Sequence, residues 1–393
     1  MSPISIATNP KIYIRGTLND RSFPSYDITN RVAGTWNHSI RAQGGYWTAS
    51  CQMAGKLSDM LNIFNNWLGL RVEENTAGIS TWEGIIYEID LSYHGITRRV
   101  SLDLVYNYIK VLYQDEEGDT QTTAVGSITD SIGRYGRQEM IHTSDFLTAT
   151  AATAFRDTLL NSWGWPYVKP VGATFPRPEP ITTPEPFYTS PDRGPLDIAT
   201  LDIQCCGMIY TANWRFEQVG DGSADNLSDW ISEILTTDCE FLYPSIINTN
   251  TLQVYKDTSQ PRRCWDLLQT LVGLGDTSGN PYRIYCDNNA MVNYEQISTT
   301  ALYFVRNGRL HTAAGRTPIN PWMMKPGVVR DEDMFVSMGL GSGWLTDRRE
   351  FYPDEISVDA SGNVRMKTIY FDEGDLIISQ LQGIEALFEP EED

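Results

Sequence analysis

The sequence lacks most patterns by which catalytic proteins are recognised. It has four histidines, His38, His94, His142 and His311, and none stands in an H-E-x-x-H pattern. No C-x-x-C, G-x-S-x-G or phosphate-loop pattern occurs either. That removes the usual frames for a zinc ion, an acyl-enzyme nucleophile or a nucleotide phosphate. The six cysteines, Cys51, Cys205, Cys206, Cys239, Cys264 and Cys286, are scattered over 393 residues and read as reduced, buried thiols. Cys205 and Cys206 are neighbours in a strand-like run, so they point to opposite faces and cannot chelate one ion together. No apolar run approaches the roughly 20 residues that span a bilayer. The first residues also lack a basic stretch followed by an apolar one, so neither membrane insertion nor a secretory leader is expected. The chain is expected to fold and assemble in a cytoplasm.

Basic residues are scarce as well. Thirty Lys and Arg stand against 50 Asp and Glu, a net charge of −20. Residues 1–195 hold 20 acids and 16 bases (net −4), and residues 196–393 hold 30 and 14 (net −16). Such a surface repels phosphate backbones and excludes a nucleic-acid clamp. Self-repulsion that favours solubility is the plain explanation; a wall past which a polyanion slides without sticking is the sharper one.

What is present is a globular composition, 41% hydrophobic with a mean hydropathy of −0.32. The length suggests two or three domains. Strand patterns dominate: residues 11–18, 46–53 and 81–93 are β-rich or alternating, and 98–113 reads as one long strand whose period slips near Ile109, as at a bulge. Leu57, Met60, Leu61, Phe64 and Leu68 recur at helical spacing and place a helix over 56–68. A second helix is expected to start at a Thr143 or Ser144 cap, to present Leu147, Ala151, Ala154, Phe155, Leu159 and Trp163 on one face, and to stop at Pro166. Residues 166–195 carry nine prolines in thirty positions, a density that leaves an extended linker or an arm laid on a neighbour. Beyond them, 196–208 and 209–219 read as strands. Helices follow over 224–235 (Leu227, Trp230, Ile231 and Ile234 inward) and 262–274 (Trp265, Leu268 and Leu271 inward), then turns at DTSGN (276–280) before a strand at 282–286, at Asp287–Asn289 before a strand at 291–296, and at DASGN (359–363). The tail 376–393 looks helical and ends in EPEED.

Few residues offer chemistry. Asp115, Glu117 and Asp119 around Gly118 supply hard oxygens that could hold calcium. The distal glutamate of a twelve-residue calcium loop is missing, Ser127 falling near its place, and a solvated hairpin tip is the competing reading. Paired carboxylates for glycoside cleavage cannot be chosen among fifty acids. The 11 Trp and 20 Tyr suit a carbohydrate-binding surface, a β core or an oligomer interface alike. Catalytic residues, metal and cofactor are all expected to be absent.

Residues 125–166 form the most distinctive stretch: a strand-like run, a glycine-punctuated turn with Arg134, Tyr135, Gly136 and Arg137, then the second helix. Ser131, Ile132, Tyr135, Gly136, Arg137 and Glu139, with the Ala/Leu-rich helix at 151–160 and Pro166, resemble hub-type tail proteins of long-tailed bacteriophages. The order of other segments fits: Trp82-Glu83-Gly84 before it, then the 265–271 helix, Gly279, Tyr282, Tyr294-Glu295 and INPWMMKPGVVRDEDMF (319–335) with its Pro326-Gly327. The resemblance covers residues 80–340 and is one of order more than of letters. It implies a mainly β fold with α+β insertions: two related β-barrel-like tube domains plus short helices, joined by the Pro-rich arm. The units would be 1–113, a strand–turn–helix segment 114–165, the arm 166–195, a second tube domain 196–375, and the 376–393 tail. It implies a non-enzymatic ring of the tail tip or baseplate, a trimer or possibly a hexamer. The ring would join a tail tube or distal tail protein to a tip or fibre protein while DNA passes without specific binding. Ser131, Tyr135, Gly136, Arg137 and Glu139 would be structural turn and interface residues. A C-terminal lysin or receptor-binding extension, common among related tail proteins, is not expected here. A carbohydrate-binding adhesion module and a polysaccharide-cleaving tip enzyme are the alternative readings.

Overall fold

Alternation sets the first strand. Ile12 and Ile14 are buried on β1 (Lys11–Thr17), while Lys11 is exposed and Tyr13 and Arg15 half-buried. The computed structural model describes residues 10–19, 25–32, 34–145, 148–171, 198–217, 222–256, 261–298, 300–306, 309–312, 320–325, 327–331, 350–351 and 353–368. After β1 come β2 (Tyr26–Asp27), α1 (Thr29–Val32), β3 (Asn37–Arg41), β4 (Gly44–Lys56), α2 (Leu57–Asn66), β5 (Leu70–Thr76), β6 (Ile79–Tyr93) and β7 (Ile96–Ser101). β6 pairs with β5 through its first half and with β7 through its second. The helix expected over 56–68 is α2, with Met60, Ile63 and Phe64 buried and Leu57 and Leu61 at the margin of the core.

The long strand expected over 98–113 is two strands in two sheets. The chain leaves β7 at Ser101, crosses the edge of the core with Leu102 and Val105 buried, and restarts as β8 (Tyr108–Gln114). The slip in period near Ile109 therefore marks a change of sheet, not a bulge. β9 (Thr120–Thr122), β10 (Gly126–Ser127), α3 (Thr129–Tyr135), β11 (Glu139–Ser144) and α4 (Ala149–Trp163) follow. β8 carries β9 and β10 antiparallel and β11 parallel. The expected glycine-punctuated turn is mostly the helix α3, and Thr143 and Ser144 lie in β11. The cap of α4 is Thr148, whose hydroxyl accepts from the Ala151 amide at 3.3 Å. The face of α4 is rotated from expectation: Ala152, Phe155 and Leu159 pack on Val111 and Tyr113, while Ala151 and Ala154 are exposed.

β12 (Lys169–Pro170) pairs with β7, and the rest of the Pro-rich segment, 172–197, lies outside the described residues. β13 (Ile198–Gly207) then lies between β4 and β6, antiparallel to both. It ends at Gly207, where a Cβ would collide with the Tyr46 carbonyl. The strand expected over 209–219 is instead a 3-10 segment, Met208–Trp214, buried at Met208, Ile209, Thr211, Ala212 and Trp214. Burial of most of its residues gives it a largely apolar spelling, MIYTANW, that resembles a core strand.

The chain continues through β14 (Ala224–Asn226), α5 (Leu227–Thr237), β15 (Tyr243–Ile247), β16 (Gln253–Tyr255), α6 (Cys264–Val272), β17 (Tyr282–Cys286) and β18 (Met291–Gln296). The last described strands are β19 (Ala301–Arg306), β20 (Arg309–Thr312), β21 (Val328–Asp331), β22 (Glu350–Phe351), β23 (Pro353–Val358) and β24 (Val364–Thr368). Both expected helices hold: α5 buries Leu227, Trp230, Ile231, Ile234 and Leu235, and α6 buries Trp265, Leu268 and Leu271. At about 1.5–3 kcal/mol per buried large apolar side chain, the α5 stripe alone contributes on the order of 10 kcal/mol of burial free energy.

The architecture is mainly β with helical insertions. A 14-stranded sheet runs β15-β18-β17-β4-β13-β6-β5-β1-β2 along its path, with β3, β7, β12, β23 and β24 attached beside it. None of the sheets among the described residues closes into a barrel, which departs from the expected tube domains. β13, drawn from beyond the Pro-rich segment, is the central strand that joins β4 to β6. One hydrophobic cluster extends from Ile12 through Trp36, Trp82, Ile89, Leu201, Ile234 and Leu268 to Val358.

Candidate functional site

The residues singled out in 125–166 converge on a side chain that the sequence reading passed over, Asn107. It is fully buried between the end of β7 and the start of β8. Its amide nitrogen donates to the Ser131 hydroxyl (3.2 Å) and the Gly136 carbonyl (2.8 Å), and its carbonyl accepts from the Gln138 amide (2.8 Å). Ser131, also fully buried, donates to the Gly164 carbonyl at 2.6 Å and so fastens α3 to the end of α4. Tyr135 is buried edge-on to Trp165, with ring centroids 6.3 Å apart. Gly136 has φ +80°, and a Cβ there would lie 2.8 Å from Phe241 and 3.1 Å from Trp214. Only glycine meets both demands.

Arg137 and Glu139 engage different partners, the Tyr108 ring and the chain just beyond the 3-10 segment. The Arg137 guanidinium lies over the Tyr108 ring, 3.6 Å from its centroid, and forms an ion pair with Glu139. Glu139 also accepts from Arg215 Nε (3.2 Å) and from the Phe216 amide (2.9 Å). Arg263, at the entry to α6, donates to the main-chain carbonyls of Glu139 (3.0 Å) and Asn213 (2.9 Å) and lies 4.1 Å over Phe216. Glu139 is thus a buried clamp that ties β11 to the 3-10 segment and to α6. Its oxygens are engaged by three donors, an arrangement suited to holding elements together rather than to moving protons.

Beside this clamp opens a cleft of about 230 Å³ lined by Tyr87, Leu102, Asp103, Tyr106, Gln138, Glu139, Tyr210, Asn213, Trp214 and Arg263. Tyr87 donates to Asp103 Oδ1 at 2.5 Å and accepts from the Tyr210 hydroxyl at 3.2 Å. The two phenol rings meet edge to face with centroids 5.2 Å apart. Burial, then the hydrogen bonds to Asp103 and Tyr210, pushes the Tyr87 hydroxyl far above the ordinary phenol range. Burial raises Tyr210 as well, and it lowers the Arg263 guanidinium from its ordinary value. The cleft therefore offers neutral phenols, a carboxylate at an exposed rim, an amide and a fixed guanidinium.

No protein-family profile matches the sequence, and no curated protein matches it. Two solved structures illustrate what it is similar to. The 43 kDa tail protein of prophage MuSo2 from Shewanella oneidensis superposes with a TM-score of 0.42 at 8% identity, over 93% of this chain and 97% of that one. The prophage tail protein gp18 from Listeria monocytogenes EGD-e gives a TM-score of 0.38 at 8% identity, over 96% of this chain and 99% of that one. Likeness at these scores carries no argument about this chain's function.

The remaining sequence candidates fall elsewhere. Asp115, Glu117 and Asp119 sit at the β8–β9 hairpin tip. There Asp115 accepts from the Asp119 amide (2.8 Å) and Gln121 Nε2 (2.9 Å), hydrogen bonds that hold its carboxyl below the usual range. Among the described residues no group of three or more His, Cys, Asp or Glu is arranged to hold a metal ion, and no helix is long and apolar enough to cross a membrane. Glu74 is fully buried and accepts from Trp36 Nε1 (2.7 Å) and Thr81 (2.6 Å), with His38 Nδ1 at 2.5 Å. Buried Glu83 pairs with Arg71 and accepts from the Asn289 amide at 2.7 Å. These carboxylates hold separate segments together, as Glu139 does. His142 lies in β11 with its ring against Phe155. All six cysteines are free and buried. Asn107, Arg215, Arg263 and the Tyr87–Asp103–Tyr210 group carry no sequence signature. The one available signal was an asparagine interrupting an otherwise continuous apolar run at 104–109.

Proposed function

We propose that this chain is a non-enzymatic structural component of a phage tail, a hub of the tail tip or baseplate that assembles into a ring. The ordered series from Trp82-Glu83-Gly84 through Ser131, Tyr135, Gly136, Arg137 and Glu139 to the 319–335 segment supports the family reading. The single observation that carries the assembly reading is the end of the large sheet. β15 is its terminal strand, paired only with β18 among the described residues, and it exposes Tyr243 and Ile246 beside Met291 of β18. An apolar strand at the end of a sheet is a liability for a protein that stays alone and an asset for one that packs against a neighbour. In this reading three copies, or six, close a ring between a tail tube or distal tail protein and a tip or fibre protein. Its acidic surface, net −20 per chain, lets DNA pass without adhering. The ring assembles in the host cytoplasm and ends in the virion.

Native mass spectrometry with negative-stain imaging tests this. Three or six copies in an annular particle are expected, and Ile246→Lys is expected to return the chain to single copies. A single copy that does not self-associate on concentration overturns the ring.

A further inference from the structure

The cleft beside Glu139 is not accounted for by assembly, and its chemistry is more specific than that of a packing defect. Its volume, about 230 Å³, is below the roughly 300–1,000 Å³ of pockets that take drug-sized ligands. It therefore suits a single six-membered ring. The walls are aromatic: the rings of Tyr87, Tyr106 and Tyr210 are half-buried, and Trp214 closes the depth of the cleft. Aromatic faces of this kind take the C–H face of a ring while their hydroxyls stay in contact with polar groups.

The polar groups are mixed in sign. Asp103 stands exposed at the rim, with Tyr87 bonded to one of its oxygens; Asn213 is half-buried in the wall; Arg263 is pinned by two main-chain carbonyls. Hydrogen bonds between these groups and the backbone fix the cleft in advance, so a ligand does not have to order it. Asp103 at the rim repels an anion and Arg263 repels a cation, the charge of Glu139 being met by Arg137 and Arg215. A neutral ligand with several hydroxyls satisfies all of them.

We propose that this cleft binds one neutral pyranose ring of a saccharide, with Asp103 and Asn213 hydrogen-bonding its hydroxyls and the tyrosine rings lying on its apolar face. This reading does not rest on the ring assembly, because none of the lining residues belongs to β15 or β18. Glu139 is a positioning residue here, holding Arg263 and the 3-10 segment through its clamp.

Saturation-transfer NMR on the full chain tests the proposal. The probes are methyl α-glucopyranoside, methyl α-galactopyranoside and N-acetylglucosamine, with glucuronate as the charged control. Transfer to the ring protons of at least one neutral sugar is expected, with a Kd on the order of millimolar and glucuronate about tenfold weaker. Asp103→Ala, at the exposed rim, and Asn213→Ala are each expected to weaken binding about tenfold. Unchanged near-UV circular dichroism shows that the fold survives, and Asp103→Asn, which keeps an acceptor for Tyr87, replaces Asp103→Ala if that variant unfolds. Absence of transfer to all three neutral sugars, binding unaltered by every folded variant, or glucuronate bound as tightly as the neutral sugars would each overturn it.

Discussion

Removing the Asn107 side chain should be among the most destabilising single changes in this protein. Asn107→Ala leaves the Gly136 carbonyl and the Gln138 amide without the partners they have at 2.8 Å each. Both lie where Asn107, Ser131 and Gln138 are buried, so water does not readily replace the lost amide. An orphaned buried polar group costs about 1–3 kcal/mol. Two of them, with a small cavity left by the missing amide, amount to about 3–5 kcal/mol. Ser131 keeps its bond to the Gly164 carbonyl and adds little to the loss. The change is thus large against the roughly 5–15 kcal/mol by which a domain is stable. Urea unfolding followed by tryptophan fluorescence measures it, and hydrogen exchange at the Gln138 amide localises it. Asn107→Asp, nearly isosteric, keeps the acceptor for Gln138 but loses the donor to Gly136, so it should also destabilise while protecting the Gln138 amide better than alanine does. A loss below about 1 kcal/mol for Asn107→Ala, or unchanged exchange at Gln138, would refute the assignment of Asn107 as the knot of this segment.

Three further outcomes are expected. Gly136→Ala forces a Cβ to 2.8 Å from Phe241 at φ +80° and should cost about 1–3 kcal/mol or more, read as a lower Tm; an unchanged Tm contradicts the close approach. Burial raises Cys205, Cys206 and Cys286 and pushes Cys51 up to about 12, and Cys264 is raised first by its hydrogen bond with Cys239 and then by burial. Buried from solvent, none of the six thiols should react with a chromogenic disulfide until the protein unfolds, and rapid labelling of the native chain would contradict that. Asp276 and Asp359 are held below the ordinary value of 3.8, first by the side chains of Asn280 and Asn363 and then by their main-chain amides. A carboxyl lowered by folding stabilises its turn above the unfolded value and loses that contribution as pH falls through the folded one. The Asn280 and Asn363 amide resonances should accordingly titrate with midpoints below 3.8, and a midpoint at or above it contradicts the bonding.

The turn sequences show how local chemistry is read correctly while its context is not. DASGN joins β23 to β24 as expected, with Gly362 at φ +79° and Asp359 Oδ1 accepting from the Ser361 amide at 2.9 Å. DTSGN makes the same turn, with Gly279 at φ +80° and Asp276 Oδ1 accepting from the Ser278 amide at 2.8 Å. Yet it joins α6 to β17 rather than two strands, while the turn expected at Asp287–Asn289 does join β17 to β18. An Asp–x–x–Gly–Asn turn closes on its own side chain, so five residues suffice to specify it. What lies on either side depends on residues outside that window.

Local periodicity likewise specified α5 and α6, because an amphipathic stripe at helical spacing has one stable use at a sheet surface. It failed at 98–113, where the apolar pattern runs on through a crossing between two sheets, and at 209–219, where burial on several faces removes the alternation that distinguishes a strand from a 3-10 segment. The sequence by itself determined the mainly β character, the acidity, the buried thiols, the two long stripes and the turn chemistry, all set by neighbours within a few residues. Only the tertiary structure decided that β13 would join strands from both sides of the Pro-rich segment, and that Ser131 and Gly136 would meet at Asn107. It alone brought Glu139 to Arg215, 76 positions away, and gathered Tyr87, Asp103, Tyr210 and Arg263 around one cleft. Those contacts join residues distant in sequence, and no periodicity encodes the partner of a buried polar group: each is fixed by the requirement that the group be satisfied where the packed core places it.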